Sequence, residues 1–134
     1  MFGSLNISTS GLIAQRTRME TIAANLANKN TVEDANGNYA PFRRRIPIFA
    51  TGDPNMGSAN GVHVDEIMLD PAPFRQVLDP THPYADKDGY VKMPNIDTTT
   101  EMINAIEATR AYEANITAAE ATKSMIQSSL RLLA

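Results

Sequence analysis

The sequence contains no cysteine, which excludes disulfides, thiol catalysis and cysteine-based zinc sites. It contains no tryptophan either, and aromatic residues make up only 6% of the chain, so few large side chains are present to anchor a compact core. Net positive charge is also lacking. At a formal charge of -3 and a pI of about 5.3 there is no broad basic face for phosphates, so nucleic acid is not an expected partner. No apolar run approaches the roughly 20 residues of a membrane span, and membrane insertion is not expected. The stretch Met1 to Asn6 has neither the basic region nor the apolar run of a cleaved secretion signal, and an export route that reads an uncleaved N-terminus remains open. What is present is a chain of 134 residues, 43% hydrophobic and 20% charged, within the range of one domain and too apolar to be wholly disordered.

Proline and glycine are unevenly placed. All eight prolines lie between Pro41 and Pro94, and five of the seven glycines between Gly37 and Gly89. That split predicts an α+β chain in three parts: an N-terminal helical segment over 1–31, a β-rich or irregular middle over 32–95, and a long C-terminal helix over 96–134. In the first part Leu5, Leu12, Met19 and Leu26 recur every seven residues, with Ile22 on the same stripe and Ser8 and Gln15 interrupting it. A seven-residue apolar repeat makes a seam that needs a partner helix. In the last part Thr98 with Glu101 fits a capping box. A 3-4 pattern then runs through Met102, Ala105, Thr109, Tyr112, Ile116, Ala119, Lys123, Ile126, Leu130 and Leu133.

Length decides between two arrangements. A helix over 98–134 would be about 55 Å long, whereas a compact domain of this size has a diameter near 36 Å, roughly. The expected molecule is therefore elongated, with its two terminal helices paired as a coiled coil. The seam would set Leu5, Leu12, Met19, Ile22 and Leu26 against Met102, Ala105, Tyr112, Ile116, Ala119, Ile126 and Leu130. In the middle, strands are expected at Tyr39 to Phe49, Val62 to Leu69, Phe74 to Leu78 and Tyr90 to Met93. Asn36-Gly37, Asn60-Gly61 and Asp88-Gly89 supply turns, and Thr51 to Gly61 reads as a mobile loop.

No motif recommends an enzyme. Gly52 and Gly57 have the spacing of a phosphate loop, but Ser58-Ala59 stand where lysine and a hydroxyl are required. Asp86, Asp88 and Gly89 resemble part of a calcium loop whose first and last ligand positions hold Tyr84 and Asn95, so a hairpin turn is the better reading. His63 and His82 have no second ligand at metal-binding spacing, and no serine sits in a nucleophile motif. No catalytic, cofactor-binding or metal-ligating set is expected. Arg43-Arg44-Arg45 reads first as solvated charge with packing and second as a patch for an acidic partner. Asn25, Asn28 and Asn30 read equally well as a helix stop or as amides fixing neighbouring chains.

Ser10-Gly11-Leu12, followed by Ala24-Asn25-Leu26-Ala27-Asn28-Lys29-Asn30-Thr31, resembles the N-terminal signature of bacterial flagellar rod and hook proteins. Gly89-Tyr90-Val91-Lys92-Met93-Pro94-Asn95-Ile96-Asp97, then Glu101-Met102 and Arg110-Ala111-Tyr112-Glu113-Ala114-Asn115 with Lys123 and Met125, resembles their C-terminal signature. The short length and Pro94-Asn95 before Ile96-Asp97 are most similar to the proximal rod members, the other short member, FlgB, being the nearest sibling. The spacer Val32 to Asn38 is longer than the family's usual Thr-x-Gly-Tyr.

The resemblance implies a structural subunit of the flagellar proximal rod, a periplasmic drive shaft that transmits torque and passes exported subunits. It implies export through the flagellar type III apparatus without a cleaved signal. The implied partners are further copies of the chain, the rod proteins FlgB, FlgF and FlgG, and the rod–ring adaptor FliE. Arg110, Glu113 and Asn115, and secondarily Asn25, Asn28 and Asn30, are the expected subunit contacts. The competing class is a soluble helical adaptor that binds one partner helix-in-groove.

Overall fold

The computed structural model describes residues 2–54 and 57–133. Two helices flank four strands: α1 (Phe2–Ala27), β1 (Arg45–Asp53), β2 (Ser58–Leu69), β3 (Arg75–Leu78), β4 (Tyr90–Met93) and α2 (Thr98–Leu133). The fold is α+β, with helices in the proline-free segments and strands where proline and glycine cluster. With 36 residues and neither glycine nor proline, α2 runs unbroken for about 54 Å. α1, with 26 residues, reaches about 39 Å.

The start of α2 differs from the expected capping box. Asp97, one residue earlier, is the cap: its Oδ2 accepts from the Thr100 amide at 3.0 Å and from the Thr100 hydroxyl at 2.6 Å. Those bonds hold the Asp97 carboxyl below its ordinary value, the Thr100 hydroxyl contributing most. Glu101 is thereby free of capping and is buried instead.

β1 and β2 form an antiparallel hairpin with Arg45 opposite Leu69 and Thr51 opposite Val62, bulged after Ile48 and again before Asp53. The expected mobile loop over 51–61 is largely ladder, because β1 continues to Asp53 and β2 starts at Ser58. Its glycines and polar residues are accommodated by the bulge rather than by an open loop. Within that loop, Asn55 and Met56 lie outside the described residues. The expected first strand also begins later, at Arg45. The preceding residues instead run back along the chain after α1, the Ala40 and Phe42 amides donating to the Val32 and Thr31 carbonyls at 2.9 and 3.0 Å.

β3 and β4 form a second antiparallel pair, Arg75 opposite Met93. Between them Asp86 Oδ1 accepts from the Asp88 and Tyr90 amides at 2.9 and 2.8 Å, so the Asp88-Gly89 segment is a side-chain-closed turn. The long spacer after α1 closes in the same way: Asp34 Oδ1 accepts from the Asn36 and Asn38 amides, each at 2.9 Å. Tyr39 then binds β4 through both Lys92 backbone groups and stacks on Tyr84 with ring centroids 4.7 Å apart.

The core is small. Among the described residues, the buried apolar side chains are Ala14, Ile22, Val91, Pro94, Ile96 and Ala108, and two of these are alanines. Ser8, Ser10, Thr21, Asn25 and Glu101 are buried beside them.

Candidate functional site

The two helices run antiparallel. Gly11 lies against the Asn115 amide, Arg18 Nη2 donates to Glu107 Oε2 at 3.2 Å, and Asn25 Nδ2 donates to Glu101 Oε2 at 3.2 Å. This register sets Phe2 beside Ser124, so the last turns of α2 extend beyond the start of α1.

Residues 11, 18 and 25 are themselves a seven-residue repeat, one position before Leu12, Met19 and Leu26. They face Asn115, the Glu107–Ala108 turn and Glu101, again one position before the expected line on α2. The centre of the seam is therefore rotated by one residue on both helices. Gly11 and Ala108 let the backbones approach, and a Cβ on Gly11 would stand 2.8 Å from Asn115 Oδ1. Apolar counting passes over such positions, because glycine, alanine, asparagine and glutamate do not register as a stripe.

The expected seam residues divide accordingly. Ile22 is buried; Leu5, Leu12, Met19 and Leu26 are half-buried along a flank, as are Ala105, Tyr112, Ile116, Ala119 and Ile126. Met19 receives a contact from the Thr109 hydroxyl at 3.7 Å on that flank. Met102 and Leu130 lie off the helix–helix contact, 57% and 61% exposed. Met102 has turned outward with the one-residue rotation, and Leu130 lies past the start of α1.

The expected contact residues also part company. Asn25 is 1% exposed, and its amide is spent inside the subunit. Its Nδ2 also donates to the Arg45 carbonyl at 2.9 Å, and its Oδ1 accepts from the Arg45 amide at 2.9 Å. It therefore clamps the entry to β1 rather than a neighbouring chain. Asn28 donates to the Ala24 carbonyl at 2.8 Å and accepts from the Thr31 hydroxyl at 3.2 Å, which makes it a helix stop. Asn115 packs on Gly11 and donates to the Ala111 carbonyl at 2.8 Å. Asn30, Arg110 and Glu113 are exposed.

The three arginines are each used differently within the chain. Arg43 donates to the Asp70 and Ala72 carbonyls and lies 4.1 Å from the centre of the Phe74 ring. Arg44 Nε donates to Glu101 Oε1 at 2.6 Å while its Nη1 stands 3.6 Å from Asp70 Oδ2. Arg45 is held by Asn25 through its backbone and lies over Phe42. Sequence reasoning missed this junction of Arg44 and Glu101, and the only hint was an acidic residue so early in an otherwise apolar helix face. A second missed residue is Ser10. Its hydroxyl donates to the Ile7 carbonyl at 2.7 Å and accepts from the Val62 amide at 3.1 Å, pinning β2 to α1. Gly61, at φ +100°, permits this, since a Cβ there would stand 2.7 Å from Ser10 Oγ.

Several large apolar side chains remain uncovered. On α2, Met102, Ile103 and Ile106 are exposed near one end and Met125, Leu130, Leu132 and Leu133 near the other; on α1, Phe2 and Ile13 are exposed. Among the described residues no group of three or more histidine and acidic side chains is placed to hold a metal ion.

Comparison with known proteins gives the same direction. The sequence profile of the flagella basal body rod protein family matches residues 5–32, and that of the flagellar basal body rod FlgEFG protein C-terminal region matches residues 87–132. The chain is 39% identical to the flagellar basal-body rod protein FlgC of Bacillus subtilis, over 98% of this chain and 97% of that protein. It is 38% identical to FlgC of Borreliella burgdorferi, over 99% and 97%, and 40% identical to FlgC of Yersinia enterocolitica, over 95% and 93%.

Proposed function

The chain belongs to the flagellar basal-body rod protein family, and from that premise we propose that it builds the proximal part of the rod. It is a structural subunit of the rod, located in the flagellar basal body, and not an enzyme. Rod subunits work by assembling with one another and with other rod components. The observation that supports assembly as the task of this chain is its uncovered apolar surface. Among the described residues one copy buries few apolar side chains and leaves large ones exposed along α2, Leu132 and Leu133 by 88% and 85%. Subunits in a helical tube meet through heterologous contacts, which do not close pairwise and therefore propagate.

The reading extends to particular neighbours and a route. The neighbours are further copies, FlgB, FlgF and FlgG, with FliE as the adaptor to the ring. The route is the flagellar type III export apparatus, used without a cleaved signal, and the destination is the periplasm. Arg110, Glu113 and Asn30, being exposed, are suited to contacts between subunits, as are the outward Met102 and the overhanging Leu130. The tube so formed transmits torque and passes later subunits through its lumen.

Cryo-tomography of cells lacking the gene tests the role. Basal rings without rod, hook or filament, restored by the gene in trans, are the expected result. Intact flagella would overturn it, and a defined one-to-one complex with a single helix would make the chain an adaptor. Tyr112→Asp puts a charge on the half-buried flank of the helix pair and is expected to stop rod growth while export continues. Normal motility in that strain would remove Tyr112 from the seam.

A further inference from the structure

α1 carries the β1–β2 hairpin along its length, whereas α2 packs on α1 and on neither strand of that hairpin. The polar tie between α2 and the middle region is Glu101, 1% exposed. Its Oε1 takes the Arg44 Nε hydrogen bond at 2.6 Å and its Oε2 the Asn25 bond at 3.2 Å. Arg44 also stands 3.6 Å from Asp70, just after β2, and Asn25 grips both backbone groups of Arg45. Four segments therefore meet around the Arg44–Glu101 pair: α1, the entry to β1, the exit of β2 and the first turn of α2.

A buried ion pair adds little stability over apolar packing, but it is costly to break on one side. Here that asymmetry selects between two arrangements. Each helix carries two adjacent seven-residue lines, one through Gly11, Arg18 and Asn25 and one through Leu12, Met19 and Leu26 on α1. Apolar contact alone would favour the second. Rolling α2 by one residue turns it about 100° and would take Glu101 away from Arg44 and Asn25, leaving Arg44 with Asp70 alone.

We propose that Glu101, Arg44 and Asn25 are positioning residues that fix the roll of α2 on α1 and the seating of the hairpin, so that helices and strands turn as one body. In its consequence for the rod, this rests on the rod-subunit reading above. Because the chain has no cysteine, Phe49→Cys on β1 and Asn104→Cys on α2 can be introduced, both residues lining the cleft beside the junction. A short bismaleimide then joins them within one subunit of purified hook–basal bodies. Glu101→Gln is expected to lower the intrasubunit cross-link about tenfold, the size of losing one charge-assisted hydrogen bond. Arg44→Lys, which keeps the charge, is expected to lower it less. A yield unchanged by Glu101→Gln overturns the proposal. If rods of that variant cannot be recovered, Arg44→Lys is decisive: a reduced yield supports the junction, and a parental yield overturns it. Loss of the rod reading is seen separately, as flagella that persist in the deletion strain, and the same cross-link read on the purified chain still judges the junction.

Discussion

The two ends of α2 are built from similar helix-forming residues and have opposite surroundings. Near its start, Glu101 and Ala108 are 1% and 0% exposed; near its end, Leu130, Leu132 and Leu133 are 61%, 88% and 85% exposed. The end that carries the leucines is in the open, and at the other end the face centred on a carboxylate and an alanine is buried. Helix propensity does not distinguish them, since α2 lacks glycine and proline throughout. Position does: α1 and Arg44 supply partners for the first end, and the second lies past the first turn of the antiparallel α1. Burial within one subunit thus follows where the chain provides a partner, and not where its side chains are most hydrophobic.

The sharpest way to break that contrast is to remove the partner at the buried end. Arg44→Met leaves the Glu101 carboxylate buried and unpaired, and is expected to destabilise the subunit by about 3–5 kcal/mol. Arg44→Met with Glu101→Met removes both charges and should recover most of that loss. Urea unfolding of the purified variants measures both. If the double variant is as unstable as the single one, packing rather than the unpaired charge explains the effect.

Gly61→Ala tests the attachment of the hairpin to α1. It places a Cβ 2.7 Å from Ser10 Oγ at a φ of +100°, where side chains are strained. A loss of about 1–3 kcal/mol is expected, with faster amide exchange at Val62 as its hydrogen bond to Ser10 is displaced. Unchanged protection at Val62 would show that Ser10 does not hold the strand.

Which of these features could be read from sequence follows from how each residue announces itself. The α+β division was legible because proline and glycine are confined to the middle, and β4 was legible because Gly89 marks its turn. The helix seam was displaced by one residue because Gly11, Ala108 and Asn115 make the close approach while Leu12, Met19 and Leu26 make the visible stripe. Glu101 was legible as acidic in a first turn and misread as a cap, since Thr98-x-x-Glu fits that pattern and Asp97 does the capping one residue earlier. The Arg43-Arg44-Arg45 run gave no sign of its three separate destinations. Those depend on Asp70, Phe74 and Glu101, which only the fold brings near.

Asp97 gives a smaller effect and a pH signature. The Thr100 hydroxyl, then its amide, keep the Asp97 carboxyl below 3.8 in the folded chain. A lowered folded pKa contributes stability that is complete above the unfolded value, near 3.9, and is lost as the pH falls through the folded value. Asp97→Asn retains a capping acceptor and removes the titration. Its first-turn helicity, followed by circular dichroism, is therefore expected to lose less than the parent as the pH falls below the ordinary carboxylate range. Identical acid profiles would place the acid sensitivity of this end elsewhere.

The open end of α2 should give the smallest effect on the subunit alone. Leu132→Ser with Leu133→Ser changes side chains that touch little within one copy, so unfolding free energy should move by less than about 0.5 kcal/mol. If these leucines are ordinary surface residues, motility will also be unaffected. If they cover, and are covered by, a neighbouring subunit, cells carrying the variant will export the chain and fail to build a rod, although the purified chain is as stable as the parent. A variant that is silent in isolation and damaging in the cell separates assembly from folding, and does so at the end of α2 where the fold itself supplies no partner.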